Sequence, residues 1–262
     1  MRERSPSNIY ETERAVSEYL LFHYGSPEEI LPAWQGVVPP PDVLAFPVRC
    51  VTETFSAGRG GRRALDVGCA VGRSSFELAR RFSEVVGIDY SQAFIDVARH
   101  LAAGETVSYS RIDQGELSTS LRAKAPADVE GARIRFQQGD AMRLDVTELG
   151  QFDAVLMANL IDRLSSPLPA LEAVKDLVRQ GGELVITSPY TWLEEFTPRE
   201  NWLGARSGEQ GTRPALERLL APEFRLVRAA NLPFLLREHS RKYQWSIAEA
   251  TVWERVGISE VA

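Results

Sequence analysis

The chain has 262 residues, a formal net charge of −6, 44% hydrophobic and 25% charged residues, the composition of a globular protein with room for a large core. The negative balance argues against nucleic acid as a partner. No apolar run reaches the roughly 18 to 20 residues of a membrane span, and the polar start from Met1 to Glu13 is unlike a secretory leader, so no membrane association and a cytoplasmic location are expected. In chain order, an amphipathic helix reads from Thr12 to Tyr24, followed by the proline-rich passage from Val37 to Asp42. Residues 1–57 are therefore expected to form a helical cap, and 58–262 a single globular domain.

Arg63 to Val67 reads as a strand, followed by a glycine-rich turn and a helical pattern from Ser74 to Phe82. The unit repeats: Glu84 to Asp89 is a short buried strand, and Ser91 is placed to cap a helix from Gln92 to His100. Residues 107–131 interrupt the pattern and read as an inserted hairpin. Further strands are expected over 133–140, 152–159 and 182–188, with a helix from Leu168 to Arg179 between the last two. Alternation of this kind predicts a parallel sheet. Two strand-like stretches, 224–232 and 243–255, joined by a charged turn, predict a closing hairpin. The expected fold is α/β and Rossmann-like, with a mostly parallel seven-stranded sheet and an antiparallel strand near the C-terminus.

Cys50 and Cys69 cannot build a disulfide framework, and His23, His100 and His239 lack metal-ligand spacing. No metal is expected, and a structural role is the expectation for each histidine.

Chemistry concentrates where the strands end. Asp66, Gly68, Ala70 and Gly72 occupy the first strand-to-helix turn, where small residues allow close approach of a ligand. Asp89, followed by Tyr90, closes the second strand about twenty residues later, where a carboxylate can accept hydrogen bonds from both hydroxyls of a ribose. Asp140 with Ala141 ends the third strand, in reach of an adenine amino group. A nicotinamide cofactor is the natural rival, but the full G-x-G-x-x-G pattern is missing, and Asp66 stands where dinucleotide folds usually keep an apolar residue. Over residues 62–190 these motifs resemble class I S-adenosylmethionine (SAM) dependent methyltransferases. The resemblance implies SAM as cofactor, S-adenosylhomocysteine as its product, and a cofactor site of Asp66, Gly68, Ala70, Gly72, Asp89, Tyr90, Asp140, Ala141 and Asn159.

Four further stretches, 8–12, 20–25, 159–164 and 188–198, resemble the 5-thiohistidine N-methyltransferases of ovothiol biosynthesis, which often form the C-terminal domain of a larger synthase; here the domain would stand alone. This resemblance implies methylation of a ring nitrogen of 5-thiohistidine to give ovothiol A. Ligands of such sheets gather beyond the carboxyl ends of the strands. That rule selects Asn159, Asp162 and Arg163, then Tyr190, Trp192 and Glu194, then Arg237, His239, Arg241 and Tyr243. Asn159, Asp162 and Tyr190 are expected as catalytic hydrogen-bonding groups, Trp192 as a wall for the imidazole, and Arg163 or Arg237 as the seat of the substrate carboxylate. Tyr10, Tyr19, Tyr24 and Trp34 are expected to close the cap over the cofactor. Competing readings are a methyltransferase for another small metabolite and a SAM-binding partner module without turnover.

Overall fold

The computed structural model describes residues 10–31, 36–56, 58, 60–221 and 223–257; Asn8, Ile9 and Trp34 lie outside them. Helix α1, Glu13–Tyr24, begins where the Thr12 side chain accepts from the backbone N–H of Ala15. A single turn α2, Pro27–Ile30, is closed by a capping box between Ser26 and Glu29. Helix α3, Phe46–Thr52, was not foreseen; it starts with proline in its first turn and buries Phe46, Pro47, Cys50 and Val51.

From Gly61 the chain builds the sheet. Strand β1, Gly61–Val67, leads to α4, Arg73–Leu78; β2, Phe82–Asp89, leads to α5, Gln92–Ala102. The Ser91 side chain caps α5 by accepting from Phe94 N, as expected. Strands β3, Val107–Gln114, and β4, Leu117–Ala123, form a separate two-stranded hairpin, followed by β5, Ile134–Gln138. Then come α6, Val146–Leu149; β6, Phe152–Ala158; α7, Pro167–Leu177; β7, Val178–Ser188; α8, Thr212–Leu220; and the hairpin β8, Phe224–His239, with β9, Lys242–Arg255.

The seven-stranded sheet has the order β5-β2-β1-β6-β7-β9-β8. Strand β9 runs antiparallel to β7 and β8, and the other six are mutually parallel. The chain steps outward from β1 to β5 and returns to β6 beside β1, so the β1/β6 boundary is the topological switch point. Successive residues on the central strands point into opposite cores. Ala64, Val85, Leu156 and Val185 pack on the α3–α5 face, while Leu65, Val86, Val155 and Leu184 pack on the α7–α8 face. Two covered faces explain why these strands read as continuous apolar runs.

The main departure from expectation is the length of β8. It continues to His239, and the charged turn shrinks to Ser240 and Arg241. Strand β7 ends at Ser188 opposite Glu249, so the ribbon formed by 232–239 and 242–248 projects past the carboxyl edge of the sheet. Leu232, Phe234 and Leu235 on that projection are buried, which is what carries the strand beyond its sheet partners.

Candidate active site

A cavity of about 630 Å³ lies beyond the carboxyl ends of β1, β2, β5, β6 and β7, roofed by α1 and walled by the β8–β9 ribbon. Its size is that of a small-molecule site. Of the residues assigned to a cofactor from sequence, Gly68, Ala70, Asp89, Tyr90, Asp140, Ala141 and Asn159 line it.

The backbone at this edge is shaped for exposure. Ala70 (φ 47°), Asn159 (φ 49°) and Tyr190 (φ 53°) all have positive φ within three residues of the ends of β1, β6 and β7. The Asp89 carboxylate accepts from Ala70 N at 2.9 Å through Oδ2 and from Ser91 N at 2.9 Å through Oδ1. Burial raises its pKa to about 6, although both amide bonds pull the other way. Asp89 does not cap α5, because Ser91 does so and the Glu11 carboxylate takes Gln92 N and Ala93 N at 2.9 and 3.2 Å. Each carboxylate oxygen thus accepts a single amide bond and keeps capacity for another, and Asp89 lines the cavity beside Tyr90. Asp140 accepts from Met142 N at 2.9 Å, which points its carboxylate along the start of the following turn.

Two cofactor assignments need correction. Asp66 is fully buried beneath the turn, where its Oδ2 accepts from the Ser74 and Ser75 hydroxyls at 2.7 and 2.6 Å and ties β1 to α4. Burial raises its pKa to about 6, opposed by those two hydroxyls. Gly72 is required by its φ of 87° and by packing, since an added Cβ would stand 2.6 Å from Phe136 Cζ; it does not line the cavity. Both residues build the turn from behind.

On the acceptor side the structure brings Asn159, Asp162, Arg163 and Arg237 together around the cavity and leaves Tyr190 and Trp192 out. Thr187 Oγ1 donates to Asn159 Oδ1 at 3.0 Å, which leaves the amide nitrogen as the donor end. Asp162 is fully buried and accepts from Ser188 Oγ at 3.1 Å and Thr191 N at 3.0 Å, so it clamps the segments after β6 and β7 together. Arg163 Nη1 donates to the Asp162 and Thr191 carbonyls, both at 3.0 Å, with its guanidinium over the Phe196 ring.

The Tyr190 hydroxyl donates to Glu249 on β9 at 2.8 Å, and Trp192 Nε1 donates to Thr212 at the start of α8 at 2.9 Å, inside the core. These partners lie 59 and 20 residues away, and they turn both aromatic side chains from the pocket. Glu194, His239, Arg241 and Tyr243 also fall outside the lining. Arg237, in contrast, is nearly sealed: its side chain is 4% exposed, Nη2 donates to Asp113 of β3 at 2.8 Å, and Nε is buried without a hydrogen-bond partner.

The cap contributes more than its tyrosines. Tyr10 and Tyr19 pack at tilted angles against Phe94 with centroids 5.9 and 4.7 Å from it, and all three line the cavity. Tyr24 instead donates to Val71 O at 2.9 Å and docks α1 on the glycine turn. Phe22, Phe46 and Phe234, from α1, α3 and β8, make an apolar wall with centroids 4.7 to 6.0 Å apart. Sequence reading missed this wall and His23. The spacing of Tyr19, Phe22 and His23 on one helical face is the signal that could have found part of it.

A model of the methyltransferase domain family matches residues 65–186. That segment spans the glycine turn, Asp89, Asp140 and Asn159, and together with the strand order it defines a class I SAM-dependent methyltransferase domain with SAM as its cofactor. The chain is 27% identical over 136 residues to the ubiquinone biosynthesis O-methyltransferase of Acinetobacter baylyi, covering 52% of this chain and 47% of that protein. It is 32% identical over 133 residues to the enzyme of the same name from Alkalilimnicola ehrlichii, covering 50% and 43%. The chain thus spans about half the length of the curated relatives it matches. Among solved structures, it superposes on the cyclase SpnF with a TM-score of 0.58 at 16% identity, covering 97% of each chain. It also superposes on the N-methyltransferase NodS from Bradyrhizobium japonicum in complex with S-adenosyl-L-homocysteine, with a TM-score of 0.50 at 13% identity, covering 92% of this chain and 98% of that one. These likenesses show the fold. Among the described residues, no helix is long and apolar enough to cross a membrane.

Proposed function

We propose that this chain transfers the methyl group of SAM to a ring nitrogen of 5-thiohistidine, giving ovothiol A. The observation that carries the reading is Arg237, a buried guanidinium on the cavity wall whose Nε has no partner, because an unpaired buried donor of this kind suits a carboxylate. An amino-acid acceptor has that carboxylate, and the four stretches similar to thiohistidine methyltransferases include the segments after β6 and β7 that border the pocket.

The cofactor residues fit this chemistry. Asp89 offers a carboxylate for the ribose hydroxyls, Asp140 with Ala141 the adenine end, and Gly68 with Ala70 the approach to the methionine end. SAM when bound supplies a sulfonium methyl for in-line displacement. The protein's part is alignment in a water-poor pocket. A neutral imidazole nitrogen already carries a lone pair, so no strong base is required. The acceptor's thiolate is the stronger nucleophile, so ring orientation must suppress S-methylation. Arg237 anchoring one end of the substrate and the Asn159 amide donating to the other would set that orientation. The direct test is incubation of purified protein with SAM and 5-thiohistidine. Mass spectrometry should show a singly N-methylated product, and its absence rejects the acceptor.

One observation favours a second reading. The wall of Phe22, Phe46 and Phe234 suits a larger aromatic acceptor, and the curated relatives are named O-methyltransferases of ubiquinone biosynthesis. Turnover of a phenolic acceptor, with none of 5-thiohistidine, would select it.

A further inference from the structure

His23 is a buried polar group that the chemistry above does not use. It lies in the last turn of α1, on the face shared with Tyr19 and Phe22, and its ring lines the cavity. Its Nδ1 is buried without a hydrogen-bond partner. The ring is flanked by the Tyr19 and Phe22 rings, tilted and edge-on at centroid distances of 5.8 and 5.6 Å, and these ring contacts give Nδ1 no hydrogen bond. A neutral imidazole has one donor and one acceptor nitrogen, and leaving either unsatisfied in such surroundings is costly. Burial, with the nearby Arg73 charge, pushes its pKa down to about 3, so the ring is neutral at physiological pH.

Its place over the pocket is set by its neighbour. The Tyr24 hydroxyl bonds the carbonyl of Val71 and seats this end of α1 on the turn between Gly68 and Gly72. Ser74, just past that turn, lines the same cavity, and Arg73 lies close enough to repel a charge on the imidazole. This part of the lining adjoins the glycine turn, where the proposed cofactor pose puts the methionine moiety. Arg73 is paired with Glu77 at 3.2 Å, so what the site offers a ligand is the neutral ring itself, whose Nδ1 lacks a partner and whose N–H suits an anionic acceptor.

We infer that His23 is a cofactor-positioning residue whose imidazole N–H donates to the α-carboxylate of the methionine moiety, so that the N-terminal cap reads the aminoacyl end of the ligand. A half-turn of the ring about Cβ–Cγ exchanges Nδ1 with Cδ2, which lets the bound carboxylate choose the orientation. The inference rests on the cofactor pose, and its test separates the two.

Wild type, His23→Ala and His23→Gln are titrated calorimetrically with S-adenosylhomocysteine and with 5′-methylthioadenosine, which keeps the adenosine and thioether but has no aminoacyl group. His23→Ala should weaken S-adenosylhomocysteine by about tenfold or more and leave methylthioadenosine unchanged, with His23→Gln recovering part of the loss through its amide donor. Equal weakening of both ligands overturns the inference, since His23 would then only shape the cap. So does unchanged affinity for both, or a raised KM for the methyl acceptor alone. Failure of the wild type to bind either ligand overturns the cofactor pose itself and this assignment with it.

Discussion

At the β1–β2–β5 half of the carboxyl edge, the polar groups facing the cavity are held by bonds to their own turn: Asp89 to Ser91 and across to Ala70, Asp140 to Met142. At the β6–β7 half, the polar groups reach far across the chain: Asp162 to Ser188 and Thr191, Tyr190 to Glu249, Trp192 to Thr212. In the first half the side chains stay open to a ligand because backbone amides fix them locally. In the second half they hold the protein to itself and leave the Asn159 amide over, while on β8 the buried Arg237 Nε is left without a partner. A polar residue at a strand end is thus a site residue only when its neighbours do not consume it.

That contrast predicts opposite phenotypes on the two sides. The largest effect is expected for Asp162→Ala, which leaves the Thr191 amide, Ser188 hydroxyl and Arg163 guanidinium without their shared acceptor. Unfolding free energy from urea titration should fall by about 3 kcal/mol. A loss below about 1 kcal/mol would break the comparison. Asp89→Ala should do the reverse, keeping the circular dichroism spectrum while weakening SAM binding by about 2 kcal/mol, roughly 30-fold by calorimetry. Unchanged affinity removes Asp89 from the site.

The pH dependence sharpens the same point. The raised pKa of Asp89, about 6, means that its carboxyl is protonated readily as the pH falls, whereas the ribose requires the ionised form. Affinity for SAM should be level above pH 7 and fall by about tenfold between pH 7 and 5, one unit below the pKa. Asp89→Asn should abolish that slope. Any slope that survives reports the other buried carboxyls raised by burial, Asp66 at about 6 behind the turn and Asp162 between the segments after β6 and β7. The smallest effect is expected for Trp192→Phe, which loses the bond to Thr212: stability should drop by about 1 kcal/mol with methyl transfer unchanged. A large fall in kcat would return Trp192 to the pocket.

Legibility in the sequence followed the range of the interactions. The Ser91 cap, the strand ending at Asp89 and the turn through Gly68 depend on neighbours within a few residues, and each stands where local pattern put it. Asp66 and Gly72 were legible as members of the motif but not in their placement, because facing the ligand or backing the turn depends on Ser74, Ser75 and Phe136. Helix α3 was obscured by the proline-rich passage before it, and β8 by charges at Arg237 and Glu238 that read as a turn.

From the chain alone, periodicity and turn chemistry determined the parallel α/β sheet, the closing hairpin and the row of strand ends where Asp89 and Asp140 lie. Only the tertiary structure decided which acceptor-side residues face the cavity, that His23 and three phenylalanines from α1, α3 and β8 close it, and that Arg237 is left with an unpaired donor. The physical reason is that strand and helix patterns arise from contacts a few residues apart. The partners of Tyr190, Trp192 and Arg237 instead depend on how β9 registers against β7 and how the hairpin and cap dock, which no local spacing encodes.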